Sequence, residues 1–324
     1  MKRWSMKLVG LLSLLWMITS CVKEAYVEPE PVADAEMTLT LSFDTGTRAS
    51  RIGDPGTDHG ENTADWKNLG VYLVYQGDME GKVLSFTFTK DAFSQSSKVF
   101  NVYPGIADIF VVALPEGQDL PKYPTADEIR NMKTQNVASD LPQGIDKNAY
   151  MRNIFSGVRT VVEFKKDANN SVTVTCTRIV SKVDVQYDVQ NGIENGKFVE
   201  AGMSAISFKG VPQIYVFSGV DHSSDKNPLP TEPELKEIMN LGAAISERNG
   251  RAYAYMFPGA AELTFDINYK KDSEAEVHNV SYVASFESPL TALSWNKVNF
   301  KVSGTNAEAT GPVPIKLSPT TTSN

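Results

Sequence analysis

The stretch that decides the fold is Met37-Thr38-Leu39-Thr40-Leu41-Ser42-Phe43, in which large apolar residues alternate with small polar ones. Successive side chains of a β-strand point to opposite faces of its sheet, so this alternation predicts a strand with one buried side and one solvent-facing side. The residues Asp44-Thr45-Gly46 follow at once and are typical of a turn. We therefore expect the folded part of the chain to begin with a half-buried strand.

Similar strand-like runs follow along the chain, separated by clusters of Gly, Pro, Asp and Asn. The predicted strands are 70–76, 83–90, 98–103, 106–114, 158–164, 172–189, 203–208, 214–216, 251–257, 261–269, 277–286 and 297–302. Short strands at such spacing favour β-sandwiches or barrels over alternating β-α-β units. Within 172–189 the apolar side chains move from even to odd positions, which predicts a bulge or a change of sheet near Thr177–Arg178.

Two capping boxes predict short helices between the strands. Thr125-Ala126-Asp127-Glu128 opens a helix that runs to about Lys133. Thr231-Glu232-Pro233-Glu234, with proline in the first turn, leads into a second helix at 235–241. The stretch 136–153 has the composition of a loop. We expect both helices to decorate the edges of β-sandwiches.

Length and composition limit the function classes. The chain has 324 residues, of which 41% are hydrophobic, and a net charge of −8. The apolar content is enough for a packed core, and the length suggests two domains, which we place at 37–157 and 158–324. A net acidic chain lacks the basic face of a nucleic-acid binder, so we expect no nucleic-acid partner. Two cysteines exclude a disulfide scaffold, and we expect Cys176, in a strand-like run, to be a buried and inert thiol.

The N-terminus has the pattern of an export signal. Basic residues precede an apolar run at 8–18, which is shorter than the roughly 20 residues that a membrane-spanning helix needs. The run ends in Ile18-Thr19-Ser20-Cys21, which resembles the lipobox of bacterial lipoproteins; an ordinary signal peptide with a chance cysteine is the alternative. The resemblance implies cleavage between Ser20 and Cys21, so that 1–20 is a signal peptide and the Cys21 sulfur carries lipid.

The residues after the lipobox predict a location. In the lipoproteins that this signal resembles, Val22 in place of aspartate favours passage to the outer membrane. The stretch 21–36 is acidic and contains proline, which is typical of a semi-extended tether. We expect a lipid-anchored protein of the outer membrane, exposed at the cell surface.

One motif suggests catalysis. Phe43-Asp44-Thr45-Gly46-Thr47 resembles the catalytic turn of aspartic proteases, which need two carboxylates that share a proton. The sequence contains no second Asp-Thr-Gly or Asp-Ser-Gly, so we interpret the motif as the turn that ends the first strand. His59, His222 and His278 are far apart and form no pair with metal-ligand spacing. We expect no enzymatic activity, no metal site and no cofactor.

Four motifs, together with the lipobox, resemble the fimbrillin family in their order and spacing. They are Thr47-Arg48 after the first strand, Leu69-Gly70-Val71-Tyr72-Leu73-Val74-Tyr75, Thr177-Arg178-Ile179-Val180-Ser181-Lys182-Val183-Asp184-Val185, and Ser294-Trp295-Asn296-Lys297 with the strand that follows. Members of this family are lipoprotein-derived subunits and anchors of protease-matured pili. The resemblance implies two transthyretin-like β-sandwich domains and a structural role in fimbriae and adhesion.

The resemblance also implies a route of assembly. In this family an arginine-specific protease cuts after an arginine in the position of Arg48 or Arg51, which follow the first strand in an exposed polar stretch. The strand that would be lost carries Met37, Leu39, Leu41 and Phe43, and a strand donated by the next subunit would replace it. The candidate donor is the tail 312–324, in which Val313, Ile315 and Leu317 alternate.

Three alternatives stay open at this point. Pro312 and Pro314 remove two donors from any ladder that the tail forms, so a minor, tip or anchoring subunit is as consistent with the sequence as a stalk subunit. A surface lipoprotein that binds polysaccharide beside an outer-membrane transporter would share the lipobox, the tether and the sandwiches. A cluster of exposed aromatic side chains on one face would favour the polysaccharide-binding lipoprotein.

Overall fold

The computed structural model describes residues 32–45, 63–93, 96–116, 118–135, 141, 143–190, 200–212, 214–217, 236–240, 245, 247–271, 275–303, 306–310 and 315–320. Within these residues the strands are β1 (Ala35–Asp44), β2 (Asn68–Tyr75), β3 (Val83–Thr89), β4 (Ser97–Val102), β5 (Gly105–Leu114), β6 (Phe155–Phe164), β7 (Asn170–Arg178), β8 (Ser181–Gln190), β9 (Glu200–Lys209), β10 (Lys236–Asn240), β11 (Asn249–Met256), β12 (Glu262–Lys270), β13 (His278–Phe286), β14 (Trp295–Ser303), β15 (Asn306–Thr310) and β16 (Ile315–Thr320). The α-helices are α1 (Ala126–Arg130) and α2 (Lys147–Arg152). The predicted all-β class is therefore confirmed.

The first seven strands form one hydrogen-bonded sheet in the order β3-β2-β5-β6-β7-β1-β4. This sheet folds back on itself, because β6 and β7 pair only at Phe155–Arg178 and Ser156–Thr177. Its two edge strands meet as a result: the ring centroids of Phe86 on β3 and Phe100 on β4 are 4.7 Å apart. The apolar side chains enclosed between the two layers form one core that includes residues of β1, β2, β4, β5, β6 and β7.

The later strands form a second sandwich from two separate sheets. One sheet has the order β10-β9-β12-β13-β16 and the other has the order β11-β8-β14-β15. Phe265 on β12 and Phe300 on β14 stack across the space between them, with centroids 4.0 Å apart and ring planes 4° from parallel. The inward side chains of both sheets form a second buried core, distinct from the first.

The chain changes sheets between β7 and β8, at Ile179–Val180. This confirms the change of sheet that the shift in alternation near Thr177–Arg178 predicts. The expected boundary at Gly157 lies inside β6, which pairs with β5 along its length, so both β6 and β7 belong to the first sheet. The first sheet therefore includes β7 and most of β6, which the predicted boundary placed in the second domain.

A third buried cluster joins the two sandwiches. It contains Val112 and Leu114 of β5, Tyr150 and Met151 of α2, Ile179 and Val180 of the junction, and Tyr255 of β11, together with Ile154, Phe217 and Phe257. Helix α2 also binds the second sandwich through the Asn148 side chain, whose Oδ1 accepts from the backbone amide of Tyr255 at 3.0 Å. The junction is therefore a packed interface.

Of the two helices that the sequence predicts, the structure contains the first; it also contains a helix that was not predicted. Helix α1 begins as predicted: the Thr125 hydroxyl accepts from the Glu128 amide, and the Glu128 carboxylate accepts from the Thr125 amide. The predicted helix at 235–241 is wrong, because Lys236–Asn240 forms strand β10 against β9; the residues of its capping box lie outside the described residues. The loop expected at 136–153 instead contains α2, whose first turn is capped by Asp146.

Candidate functional site

Strand β1 lies inside its layer of the first sandwich, with a neighbour on each side. It pairs in parallel with β7, from Met37–Asn170 to Asp44–Thr177. It pairs antiparallel with β4, from Ala35–Val102 to Thr40–Ser97. The loss of β1 would therefore leave two rows of backbone donors and acceptors without partners, one on each neighbouring strand.

The inward face of β1 is part of the first core. The side chains of Met37 and Leu39 are completely buried and that of Leu41 is 5% exposed, whereas the intervening Thr38 and Thr40 are only half-buried. Ala35 extends the buried row by one residue towards the N-terminus. The alternation on which the first prediction rests is thus confirmed, and it is one residue pair longer than the quoted stretch.

An aromatic site lies at the C-terminal end of this row. The ring of Phe43 stacks on that of Trp66, with centroids 5.7 Å apart, and meets the edge of Phe155 at 5.5 Å. Trp66 is itself buried in the first core, so it is no part of a sugar-binding surface. The inward side of β1 therefore fills a groove in the first sandwich that has five places, one for each of Ala35, Met37, Leu39, Leu41 and Phe43. The rings of Trp66 and Phe155 line the last place.

Exposed groups fix the N-terminal end of β1. The Lys166 ammonium and the Asp34 carboxylate form an ion pair at 2.5 Å, with 58% and 34% of the side chains exposed. The hydrogen bond from Lys166 to Asp34 raises the pKa of the lysine above its usual value. The Asn170 amide donates to the Glu36 carbonyl at 2.8 Å. Exposed contacts of this kind hold weakly and are screened by salt.

A buried arginine fixes the C-terminal end of β1. Arg178, the last residue of β7, is 3% exposed and donates from Nη1 to the Thr45 carbonyl at 2.6 Å. Its Nη2 donates to the Thr63 carbonyl at 3.1 Å, and its Nε donates to the Arg152 carbonyl at 2.5 Å. The guanidinium carbon lies 5.2 Å from the centre of the Phe155 ring. Sequence reasoning missed this contact because it joins residues far apart in the chain.

The C-terminal strands lie on the second sandwich. Strand β15 pairs with β14, and β16 pairs antiparallel with β13, where Ile315 is opposite Phe286 and Leu317 is opposite Ala284. In the order of the five-stranded sheet, as far as the described residues show it, β16 is an edge strand next to β13. The candidate donor segment is therefore paired in part within its own chain, at an edge.

Several predicted site residues lie outside the described residues. These are Ser20, Cys21, Arg48, Arg51 and Val313. Lipidation, signal cleavage and arginine processing at these positions stay predictions.

The groups that could support chemistry are dispersed. Asp44 is exposed at the end of β1, as expected for a residue that ends a strand. His278 stacks on the ring of Tyr269, and His59 and His222 lie outside the described residues. Among the residues that the structure describes, no three His, Cys, Asp or Glu side chains are grouped to hold a metal ion. Cys176 is fully buried, as predicted, and its burial raises the thiol pKa to about 12.

Three aromatic rings of the second sandwich surround a cation of the chain itself. The Lys182 ammonium lies 4.4 Å from the Trp295 ring centre, 5.2 Å from that of Tyr253 and 5.8 Å from that of Tyr255. Lys182 is 4% exposed, so the space between these rings is filled. In the described part of the chain Tyr123 is the aromatic residue that is largely exposed, at 95%. Within the described residues there is therefore no cluster of exposed aromatic side chains of the kind that would favour the polysaccharide-binding class.

In the part of the chain that the structure describes, no helix has the length and apolar character needed to cross a membrane.

The fold is similar to that of several solved structures. A proposed cell adhesion protein from Bacteroides eggerthii is 12% identical and aligns over 89% of this chain and 96% of its own, with a TM-score of 0.56. A second proposed cell adhesion protein, from Parabacteroides distasonis, is 13% identical over 89% of this chain and 96% of its own, with a TM-score of 0.51.

The third similar structure carries the name that the sequence motifs predict. A fimbrilin from Porphyromonas gingivalis is 11% identical over 84% of this chain and 92% of its own, with a TM-score of 0.53. No protein-family profile and no curated protein sequence matches the chain. The predicted resemblance to the fimbrillin family is thus confirmed at the level of the fold.

Proposed function

We propose that this protein is a member of the fimbrillin family and a structural subunit of cell-surface fimbriae that assembles by strand donation. The observation that carries the proposal is the position of β1, an inner strand whose inward residues Met37 and Leu39 are completely buried and which precedes the arginines of the candidate processing site. The fold shared with a fimbrilin supports the same proposal. Other fimbrial subunits are then its partners.

The physical reason lies in what the loss of β1 would leave behind. Both neighbouring strands would expose unpaired backbone groups, and the core would open along the groove that now holds Met37, Leu39 and Leu41. A strand from another subunit that restored the ladder and filled the groove would remove both costs. Such a contact is head-to-tail and does not close on itself, so repeated contacts build a filament.

The C-terminal tail is the proposed donor. Its alternating residues Val313, Ile315 and Leu317 could fill three of the five places under β1. An edge strand such as β16 has one ladder to break before it can leave, which makes it easier to detach than an inner strand. None of the three side chains is aromatic, so this tail would leave the place between Trp66 and Phe155 without an aromatic ring.

That mismatch bears on the position within a fimbria. A tail that fills its neighbour's groove incompletely suits a minor, tip or anchoring subunit better than a stalk subunit made of many identical contacts. An anchor would keep its lipid on Cys21 and remain in the outer membrane. A subunit that enters the filament would lose the lipid together with β1 when an arginine-specific protease cuts after Arg48 or Arg51.

The test is the double substitution Arg48→Ala with Arg51→Ala in cells that build the fimbriae. We expect a stable lipoprotein that accumulates at the outer membrane and no longer enters fimbriae, because β1 still fills its groove. The matched control is Arg159→Gln, which removes an exposed arginine from β6 and should assemble normally. Assembly of the double variant at the normal level would contradict the processing step.

A further inference from the structure

The guanidinium of Arg178 binds the main chain on both sides of residues 46–62. It donates to the Thr45 carbonyl at 2.6 Å and to the Thr63 carbonyl at 3.1 Å. Thr45 directly follows β1, and Thr63 is the first described residue after the intervening stretch. Arg48 and Arg51, the candidate processing sites, therefore lie in sequence between the two residues whose carbonyls accept from Arg178.

The surroundings of Arg178 keep its guanidinium in place. Its Nε donates to the Arg152 carbonyl at the end of α2, where a cation is favourably placed, and its guanidinium carbon lies 5.2 Å from the centre of the Phe155 ring. The start of the later stretch is fixed a second time, because the Asp65 amide donates to the Asn153 side chain at 3.1 Å. If the Thr45 or Thr63 carbonyl moved away and no other acceptor replaced it, a buried N–H group of the charged Arg178 side chain would lose its hydrogen bond, which is costly.

We infer that Arg178 acts as a latch that keeps β1 seated after the backbone is cut within residues 46–62. The cut ends stay bound to the same guanidinium, so cleavage and release of β1 are separate steps. Release then requires a competing strand that takes over the ladder. This inference rests on the proposed function for the position of the cut, and it adds a positioning residue that the processing scheme does not contain.

The two ends of β1 predict the direction of release. The N-terminal end is held by the exposed pair Lys166–Asp34 and by the Asn170 amide, whereas the C-terminal end is held by a buried charge. Exposed pairs open first because water and salt ions replace them at little cost. The cut strand therefore leaves from its N-terminal end, and the bond from Arg178 to Thr45 is the last to break.

The first measurement is the rate at which the cut N-terminal piece leaves the rest of the protein. The full-length lipoprotein is purified in detergent and cut briefly with an arginine-specific protease. The pieces are then identified by mass spectrometry and followed over time by size-exclusion chromatography. We expect the wild-type piece to remain bound and the Arg178→Gln piece to leave roughly ten- to hundredfold faster. Arg178→Lys should lie between them, because an ammonium keeps the charge but not the fork of donors.

Two controls separate the latch from a general loss of stability. Lys166→Ala loosens the other end of β1 and should change the release rate little, and Arg159→Gln removes one exposed arginine and should not change it. A second measurement uses the uncut protein: amide hydrogen exchange of residues 41–44 should be faster in Arg178→Gln than in Lys166→Ala, while exchange in the second sandwich stays unchanged.

The outcomes are distinguishable. Equal release rates for wild type and Arg178→Gln, or immediate loss of the piece from the wild type, would overturn the latch and leave the proposed fimbrial role intact. A protein that the protease does not cut at Arg48 or Arg51 would instead contradict the processing step. In that case unchanged hydrogen exchange at residues 41–44 in Arg178→Gln would also refute the latch.

Discussion

Strands β1 and β16 are opposites in their surroundings. β1 has hydrogen-bonded neighbours on both sides, and its inward row is buried in the first core. Among the described residues, β16 lies at the edge of its sheet in the second sandwich and pairs with β13. The comparison teaches that an inner strand precedes the candidate protease site, whereas the proposed donor includes an edge strand. Cleavage of the chain after β1 would allow that inner strand to leave without unfolding of the whole sandwich. An edge strand such as β16 can detach by breaking one ladder, without cleavage.

The largest expected effect is on the stability of the first sandwich. Leu39→Ala should lower its free energy of unfolding by about 2–5 kcal/mol, because the side chain is completely buried and its loss leaves a cavity. Ser42→Ala on the exposed face of the same strand is the matched control and should lower the stability by no more than about 1 kcal/mol, because it removes one exposed hydrogen bond to the Thr175 hydroxyl. Urea unfolding followed by the fluorescence of Trp66, which contacts Phe43, measures both. Equal effects of the two substitutions would contradict the burial of the inward face of β1 in the first core.

Removal of residues 311–324 should have a smaller effect on stability and a clear effect on assembly. We expect the second sandwich to lose less than about 2 kcal/mol, because each net hydrogen bond of an edge strand contributes about 0.5–1.5 kcal/mol and ordering the strand costs a similar amount. The first sandwich should unfold as in the full chain. The truncated protein should accept a donated strand but should not donate one, so it would end a growing filament. Unchanged filament growth in a mixture of the two forms would exclude the tail as donor.

Local patterns predicted those parts of the fold that local chemistry determines. The alternation at 37–43 gave the inward row of β1, the capping box at Thr125 gave the start of α1, and the shift of alternation near Thr177 gave the change of sheet. The failures have a tertiary cause. Lys236–Asn240 is a strand because β9 offers it a partner, although the residues before it resemble a helix start.

The missed functional contacts are equally non-local. The bond from Arg178 to Thr45 joins residues 133 positions apart, and the rings around Lys182 come from β11 and β14. One available signal was the cap at Asp146, which marks α2 and hence the helix end that Arg178 contacts. The arginine itself lay within a motif that the family resemblance already included, but its partners could not be read from its neighbours in sequence.

The most direct test of the central claim is the N-terminal residue of the protein recovered from surface fimbriae. If β1 is removed and replaced by a donated strand, the chain in the fimbria begins at Ala49 or Ile52 and carries no lipid. A chain in the same filaments that still begins at lipidated Cys21 would contradict removal of the strand. A chain that begins beyond about Lys67 would contradict the account as a whole, because that cut removes Trp66 from the core and intrudes on β2.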